Sequence, residues 1–190
     1  MARPRNFDET RVIEALTLVF WEKGYEATSM QDLVAATGLL KGSLYGAFGD
    51  KQALYMIALA HYDQTRIQAG IDLLNSNASQ PEKVSALFDS IIEAVQQGVF
   101  AGGCLLCNAS MEMAPVDKSV EKSVQKTIQR MNQALMKALE GSARNAEQAS
   151  RLSSLIISAY FGCRILAKAG APLAMIKDSR ENCLKCLDVF

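Results

Sequence analysis

The sequence predicts an all-α chain in two parts, a small N-terminal headpiece and a larger helical body. Three observations carry that reading. Apolar residues recur at helical spacing along most of the chain, and the breaks between them hold Gly, Pro or polar clusters. No segment shows a convincing strand pattern. The stretch from Thr28 to Lys51, TSMQDLVAATGLLKGSLYGAFGDK, reads as two short helices joined by a Gly-containing turn. A helix-turn-helix sets its second helix in the DNA major groove, within reach of base edges, so the stretch points to a DNA-binding regulator.

The first helix is expected between Thr10 and Lys23, where Val12, Ile13, Leu16, Val19 and Phe20 share a face and Gly24 ends the run. Thr28 or Ser29 can cap the second, in which Met30, Leu33 and Val34 point one way. Gly38 suits the tight turn because it reaches positive φ without steric cost. Leu44, Tyr45 and Phe48 are spaced to pack a third short helix onto the first two, and Asp50 is set to cap a fourth beginning at Lys51. The headpiece is therefore expected over residues 1–50 and the body over residues 51–190.

In the body, Leu54 to about Asn75 reads as one long helix, followed by the polar loop Asn75 to Gln80 and by Pro81 in the first turn of the next helix. Glu82 to Gln97 repeats Val84, Leu87, Phe88, Ile91, Ile92 and Val95 at helical spacing. Gly98 and the pair Gly102-Gly103 break the chain before a helix from Cys104 to Met113. Val116 to Leu139 makes another, whose cationic face of Lys118, Lys122, Lys126 and Arg130 is read as solvated. Two last helices, about Asn145 to Lys168 and Pro172 to Val189, flank Gly170. On the earlier one Leu152, Leu155, Ile156, Ala159, Tyr160 and Cys163 form a broad apolar face, with Ser158 and Gly162 as small residues.

The pattern FWEKGYEATSM (Phe20 to Met30), then AATG (Ala35 to Gly38), then KGSLYGAFGDK (Lys41 to Lys51) resembles the TetR family of repressors. The motif covers about the first quarter of the chain, and the rest agrees in length and helical character. The resemblance implies a cytoplasmic homodimer that binds a palindromic operator in double-stranded DNA and is released by a small-molecule inducer. It also implies a C-terminal domain that holds the inducer and dimerises through its last two long helices. Thr28, Ser29, Ser43, Tyr45 and Lys51 match positions that hold the phosphate backbone, and Gln31 and Lys41 match positions that reach bases. Gly42 and Gly46 match positions of close approach. The chemistry agrees: hydroxyls and Lys51 suit phosphates, Lys41 can donate to guanine, and Gln31 can pair with adenine. Tyr45 also suits the core and Thr28 a helix cap, while Arg3 and Arg5 read as a DNA-reaching arm or a solvated terminus. Two departures stand out. Leu40 occupies the place of a capping residue, so the recognition helix is expected to start on packing instead, and Gly46-Ala47 replace larger readout residues. Discrimination then leans on DNA shape, Lys41 and Gln31.

Composition is neutral on this point. Twenty Lys plus Arg balance 20 Asp plus Glu over 190 residues, which is not the bulk basicity often found in nucleic-acid-binding chains. The headpiece is no more basic, but phosphate contact needs a few cations on one face whatever the total. No apolar run of about 20 residues suggests a membrane span. The segment MARPRNFDET lacks the apolar core of a signal peptide, which favours the cytoplasm. Five cysteines in such a chain are expected to be reduced.

The segment GGCLLCNASMEM, Gly102 to Met113, sets Cys104 behind two glycines at a helix start, where amide dipoles favour a thiolate, with Cys107 on the same face. It resembles a motif of the NemR-like subgroup of electrophile- and oxidant-sensing repressors, which implies redox roles for Cys104 and Cys107. No Lys, Arg or His occurs between Val99 and Val116, so an activating cation must come from elsewhere in the fold. Cys183 and Cys186 form a second C-x-x-C pair, but both pairs lie on helices without the knuckle glycines of zinc sites, so no metal is expected. With one histidine and no triad or phosphate loop, neither enzyme activity nor a cofactor is expected. Candidate ligand-binding residues are Phe88, Phe100, Met111, Met113 and Tyr160, with Asn108 and Glu112 as polar contacts. The leading expectation is a repressor released by a ligand. Gating of the same fold by oxidation or alkylation of Cys104 comes second, and a helical binding module without specific DNA binding comes third.

Overall fold

Every regular element among the described residues (7–98, 103–140 and 145–189 of this computed structural model) is helical. Helix α1, Glu9–Lys23, starts on Asp8, whose carboxylate accepts from the Arg11 amide, and buries Val12, Leu16 and Phe20. It ends at Gly24, at φ 80°. Helix α2, Met30–Thr37, starts on a reciprocal cap in which the Ser29 hydroxyl accepts from the Asp32 amide and the Asp32 carboxylate accepts from the Ser29 amide. Gly38, left-handed at φ 69°, turns the chain towards α3, Lys41–Phe48. Asp50 then caps α4, Lys51–Tyr62, by accepting from the Ala53 amide at 2.8 Å.

Two expectations for this region change. In α3 the buried residues are Leu44 and Phe48; Tyr45, one step around the helix, is 37% exposed and faces out. The start of α3 does not lean on packing either, because Leu40 makes no side-chain cap bond and is 76% exposed. The inward anchoring comes from Leu44 and Phe48, and each such buried side chain stabilises by roughly 1.5–3 kcal/mol.

The expected single helix after Lys51 is interrupted. Helix α4 passes through a π-helical turn, Asp63–Ile67, into α5, Gln68–Leu74. The Gln68 amide donates to the Asp63 carbonyl, five residues back. Two features favour the wider turn. Buried residues jump five positions from Tyr62 to Ile67, so the apolar face shifts by one residue. Arg130 reaches across to bond the carboxylate of Asp63 and the amide oxygen of Gln68, one at each end of the turn. That pairing also corrects the solvated reading of Arg130, which is half-buried, whereas Lys122 and Lys126 are exposed.

The remaining helices are α6 (Gln80–Gln96), α7 (Leu105–Glu112), α8 (Lys118–Leu139), α9 (Ala146–Lys168) and α10 (Leu173–Val189). Ser79 and Glu82 form a reciprocal cap on α6, and Asp117 and Asn145 cap α8 and α9. Helix α10 packs on α6 and α9, α8 on α9 and α5, and α1 on α4. The headpiece core does not stop at residue 50. Tyr55 of α4 sets its ring edge-on to Phe20 at 5.1 Å and to Tyr25 at 5.0 Å, and Tyr62 meets Trp21 at 5.4 Å.

Candidate functional site

The outer face of the headpiece is built by α3 and the ends of its neighbours. Lys41, Gly42, Ser43, Tyr45 and Gly46 are all exposed on α3, with Ser29 and Gln31 exposed at the start of α2. Lys41 Nζ lies 5.4 Å from the Tyr45 ring and the half-buried Lys51 lies 4.3 Å from that of Tyr25, so aromatic faces orient both ammonium groups. Thr28 differs from its expected role. It is 1% exposed and its hydroxyl donates to the Gly24 carbonyl at 2.5 Å, closing the link between α1 and α2. A Cβ added at Gly42 or Gly46 would meet nothing within 4 Å, so neither glycine is required by internal packing. Arg3 and Arg5 lie outside the described residues.

Helix α7 joins this headpiece to the body. Trp21 Nε1 donates to the Gly103 carbonyl at 3.0 Å, and Asn108 Nδ2 donates to the Trp21 carbonyl at 3.2 Å. The Tyr25 amide donates to Glu112 Oε2 at 2.7 Å. Glu112 closes so tightly over Gly24 that a Cβ there would lie 2.3 Å from Oε1. One face of α7 thus holds the end of α1 and the link that follows. The same Asn108 side chain accepts through Oδ1 from Lys168 of α9 at 2.9 Å. Beside α7, the side-chain amide of Gln52 bonds Asp117, tying α4 to the start of α8.

The expected ligand contacts lie in different surroundings. Glu112 and Asn108 are bonded within the seam, Met111 is 58% exposed, and Phe88 and Met113 are buried in the core. Phe100 lies outside the described residues. Tyr160 does line a cavity of about 510 Å³, enclosed by α1, the α4–π–α5 helix, α6 and α9. Its walls include Leu18 and Trp21 from α1, Leu73 from α5 and Leu87 and Ala94 from α6. Its polar groups include Tyr62, Thr65, Arg66, Ser90 and Arg164. Thr65, Arg66 and Ser90 are exposed and mark the mouth, while Tyr62 and Tyr160 are buried at the floor. Arg164 is half-buried, stacks over the Tyr160 ring at 4.8 Å and donates to its hydroxyl at 2.5 Å. Sequence reasoning missed Trp21, Arg66 and Arg164. The signals were an arginine four residues after Tyr160, the one charged residue between Leu152 and Ala167, and the five-residue jump from Tyr62 to Ile67.

Cys104 is the N-cap of α7 and is buried, as is Cys107. A hydrogen bond from the Cys107 thiol, helped by the Arg164 charge, the Cys107 amide and the Tyr62 hydroxyl, holds the Cys104 thiol down at about 6, against the opposing effect of burial. The same shared hydrogen bond, and then burial, push Cys107 well above the ordinary thiol range. The cation near Cys104 thus comes from α9, about 60 residues along the chain. Gly103 is needed beside it, since its φ is +68° and an added Cβ would lie 2.6 Å from Lys168 Cδ. Cys183 and Cys186 lie on α10; burial, Cys186 and Cys163 push the Cys183 thiol up to about 11.

Comparison with known proteins agrees with this architecture. The family model described as bacterial regulatory proteins, tetR family, matches residues 12–56. That of the LmrA/YxaF-like transcriptional regulator C-terminal domain matches residues 81–180, more than half of the chain. The HTH-type transcriptional regulator YezE of Bacillus subtilis (strain 168) is 32% identical over 62% of this chain and 60% of its own length. The HTH-type transcriptional repressor ComR of Escherichia coli (strain K12) is 30% identical over 60% of this chain and 54% of its own. The chain thus spans less than two thirds of these curated relatives. A solved structure of a cysteine mutant of the TetR-family regulator CifR, complexed with 26-bp operator DNA, superposes with a TM-score of 0.81 at 26% identity, covering 96% of this chain and 98% of that one. Among the described residues no helix is long and apolar enough to cross a membrane.

Proposed function

The chain belongs to the TetR family of transcriptional regulators, and from that premise we propose that it is a repressor whose operator affinity falls when a small molecule occupies its body. The observation that carries the DNA half is the α3 surface. Two glycines stand in an eight-residue helix at positions where a side chain would meet nothing, at a cost of roughly 1 kcal/mol each in helix propensity. A surface kept that bare suits a backbone pressed close to DNA, with Lys41 and Gln31 reaching bases and Ser29, Ser43, Tyr45 and Lys51 holding phosphates. The hydroxyl of Thr28 is already engaged, so its part is to shape the approach to α2. Residues 1–50 form the DNA-binding unit and residues 51–190 the inducer-binding and dimerisation unit.

The reading includes a homodimer, supported by the outer face of α9 and the start of α10, where Leu155 is 49%, Ile165 44%, Leu166 36% and Met175 48% exposed. Two headpieces roughly 34 Å apart then match the half-sites of a palindrome. Coupling runs through α7, which meets the cavity's neighbours at Cys104 and the headpiece at Gly103, Asn108 and Glu112. A ligand that favours one seating of α7 over another shifts the population of headpiece spacings.

A second reading, gating at Cys104, is favoured by its depressed thiol value beside Arg164. Fluorescence anisotropy on DNA from upstream of its own gene tests both. Saturable, salt-sensitive binding supports the repressor; binding lost on mild oxidation, restored by thiol and retained in Cys104→Ser supports the thiol gate. Absence of any sequence-specific binding would count against both.

A further inference from the structure

The cavity carries two guanidinium groups, Arg66 and Arg164, and no carboxylate among its described lining residues. We propose that it takes a small amphipathic carboxylate, whose head group pairs with these arginines and whose apolar body lies along α5 and α6. The proposal deepens the repressor reading by giving the inducer its chemical class, and rests on that reading for what binding achieves.

Size is the first argument. About 510 Å³ falls within the range of pockets that hold small molecules. Charge is the second. Each guanidinium is set against an aromatic face, Arg66 at 5.6 Å from the Trp21 ring and Arg164 at 4.8 Å from that of Tyr160. Such stacking orients a guanidinium and leaves its charge in place for a planar bidentate partner. Arg66 makes no ion pair among the described residues; Glu14 shares a smaller adjoining cleft with it but does not line this cavity. The third argument is the balance of the walls. Leu73, Leu87 and Ala94 offer apolar surface on α5 and α6, while the arginines' aromatic supports stand on α1 and α9, which suits a ligand with one charged end and one oily end. The π-helical turn contributes Thr65 and Arg66 to the mouth, between Tyr62 of α4 and Ala69, Gly70 and Leu73 of α5, so the irregular stretch of the long helix takes part in lining the cavity.

Isothermal titration calorimetry of the full chain against a series of ω-phenylalkanoates and straight-chain alkanoates, each paired with its primary amide, tests this. The expected result is that members of the series bind and that carboxylates bind at least about tenfold more tightly than their amides, the discrimination a charge-assisted pair supplies. Arg66→Gln, at an exposed position, and Arg164→Gln should each reduce that preference. Ala94→Trp keeps both arginines and fills the cavity, so it should abolish binding; thermal melting checks that each variant is folded. Equal affinity for acids and amides, no binding across the series, or affinity that survives Ala94→Trp would overturn the proposal. Operator binding is measured separately, so its failure would count against the repressor reading and leave the calorimetry standing.

Discussion

Leu40 and Gly46 are each a poor choice for the fold by itself, and both lie on the recognition helix. Leu40 leaves the first amides of α3 without a side-chain acceptor while staying 76% exposed. Leu40→Ser should restore the cap and raise stability by about 1 kcal/mol in thermal melts. Gly46→Ala fills open space in a helix and should add about 0.5–1 kcal/mol. The same change should weaken operator binding in anisotropy titrations; unaltered binding would sink the close-approach argument. Cys104 gives a different kind of test. Its thiolate absorbance, taken as wild type minus Cys104→Ser, should titrate at about 6, and Arg164→Gln should move that midpoint upwards. The folded value lies below the unfolded one, roughly 8.5. The thiolate's contribution to stability is therefore full above the unfolded value and fades as pH falls through about 6. Denaturant melts from pH 6 to 8 should show wild type gaining on Cys104→Ser as pH rises.

At the level of elements, most starts and stops could be read from neighbouring residues. Asp50, Gly38, Ser29 and Pro81 stand where expected, because caps and turns depend on atoms within a few positions in the chain. What α7 does could not be read that way. Its helical spacing identifies an apolar face, but the partners of Asn108 and Glu112 lie 87 residues away on the α1 end. Periodicity says which side of a helix turns inward and nothing about what stands opposite. The cavity has the same origin. Arg164 lines it together with Thr65 and Arg66 of the π-helical turn, and these residues lie about 100 positions apart in the chain. Glu112→Ala removes the acceptor of a half-buried amide and should cost about 1–2 kcal/mol. Hydrogen exchange should then speed up at Gly24 and Tyr25 while amides of the body core stay protected. Uniform acceleration would mean that α7 supports the whole fold and does not specifically seat the headpiece.

For the whole molecule, the exposed face of α9 separates assembly from folding. Leu155, Ser158 and Ile165 are exposed along it, while Leu152, Ile156, Tyr160 and Cys163 turn inward, so the broad face expected from sequence divides into an outer stripe and a core stripe. Leu155→Arg combined with Ile165→Arg should halve the mass seen by analytical ultracentrifugation without changing the helical content. Operator affinity should fall with it, since one headpiece holds one half-site.

The π-helical turn between Tyr62 and Gln68 has a consequence that no substitution would expose. Helix α4 packs on α1 of the headpiece and α5 on α6 and α8 of the body, so the turn sets the rotational phase between those two packing faces. Each residue of an α-helix advances that phase by roughly 100°. Deleting one residue from Asp63–Ile67 would swing one half against the other by about that angle while leaving every remaining side chain unchanged. Length, at this point in the chain, is itself inherited information: a single lost codon would turn the headpiece away from its target even with every remaining side chain in place.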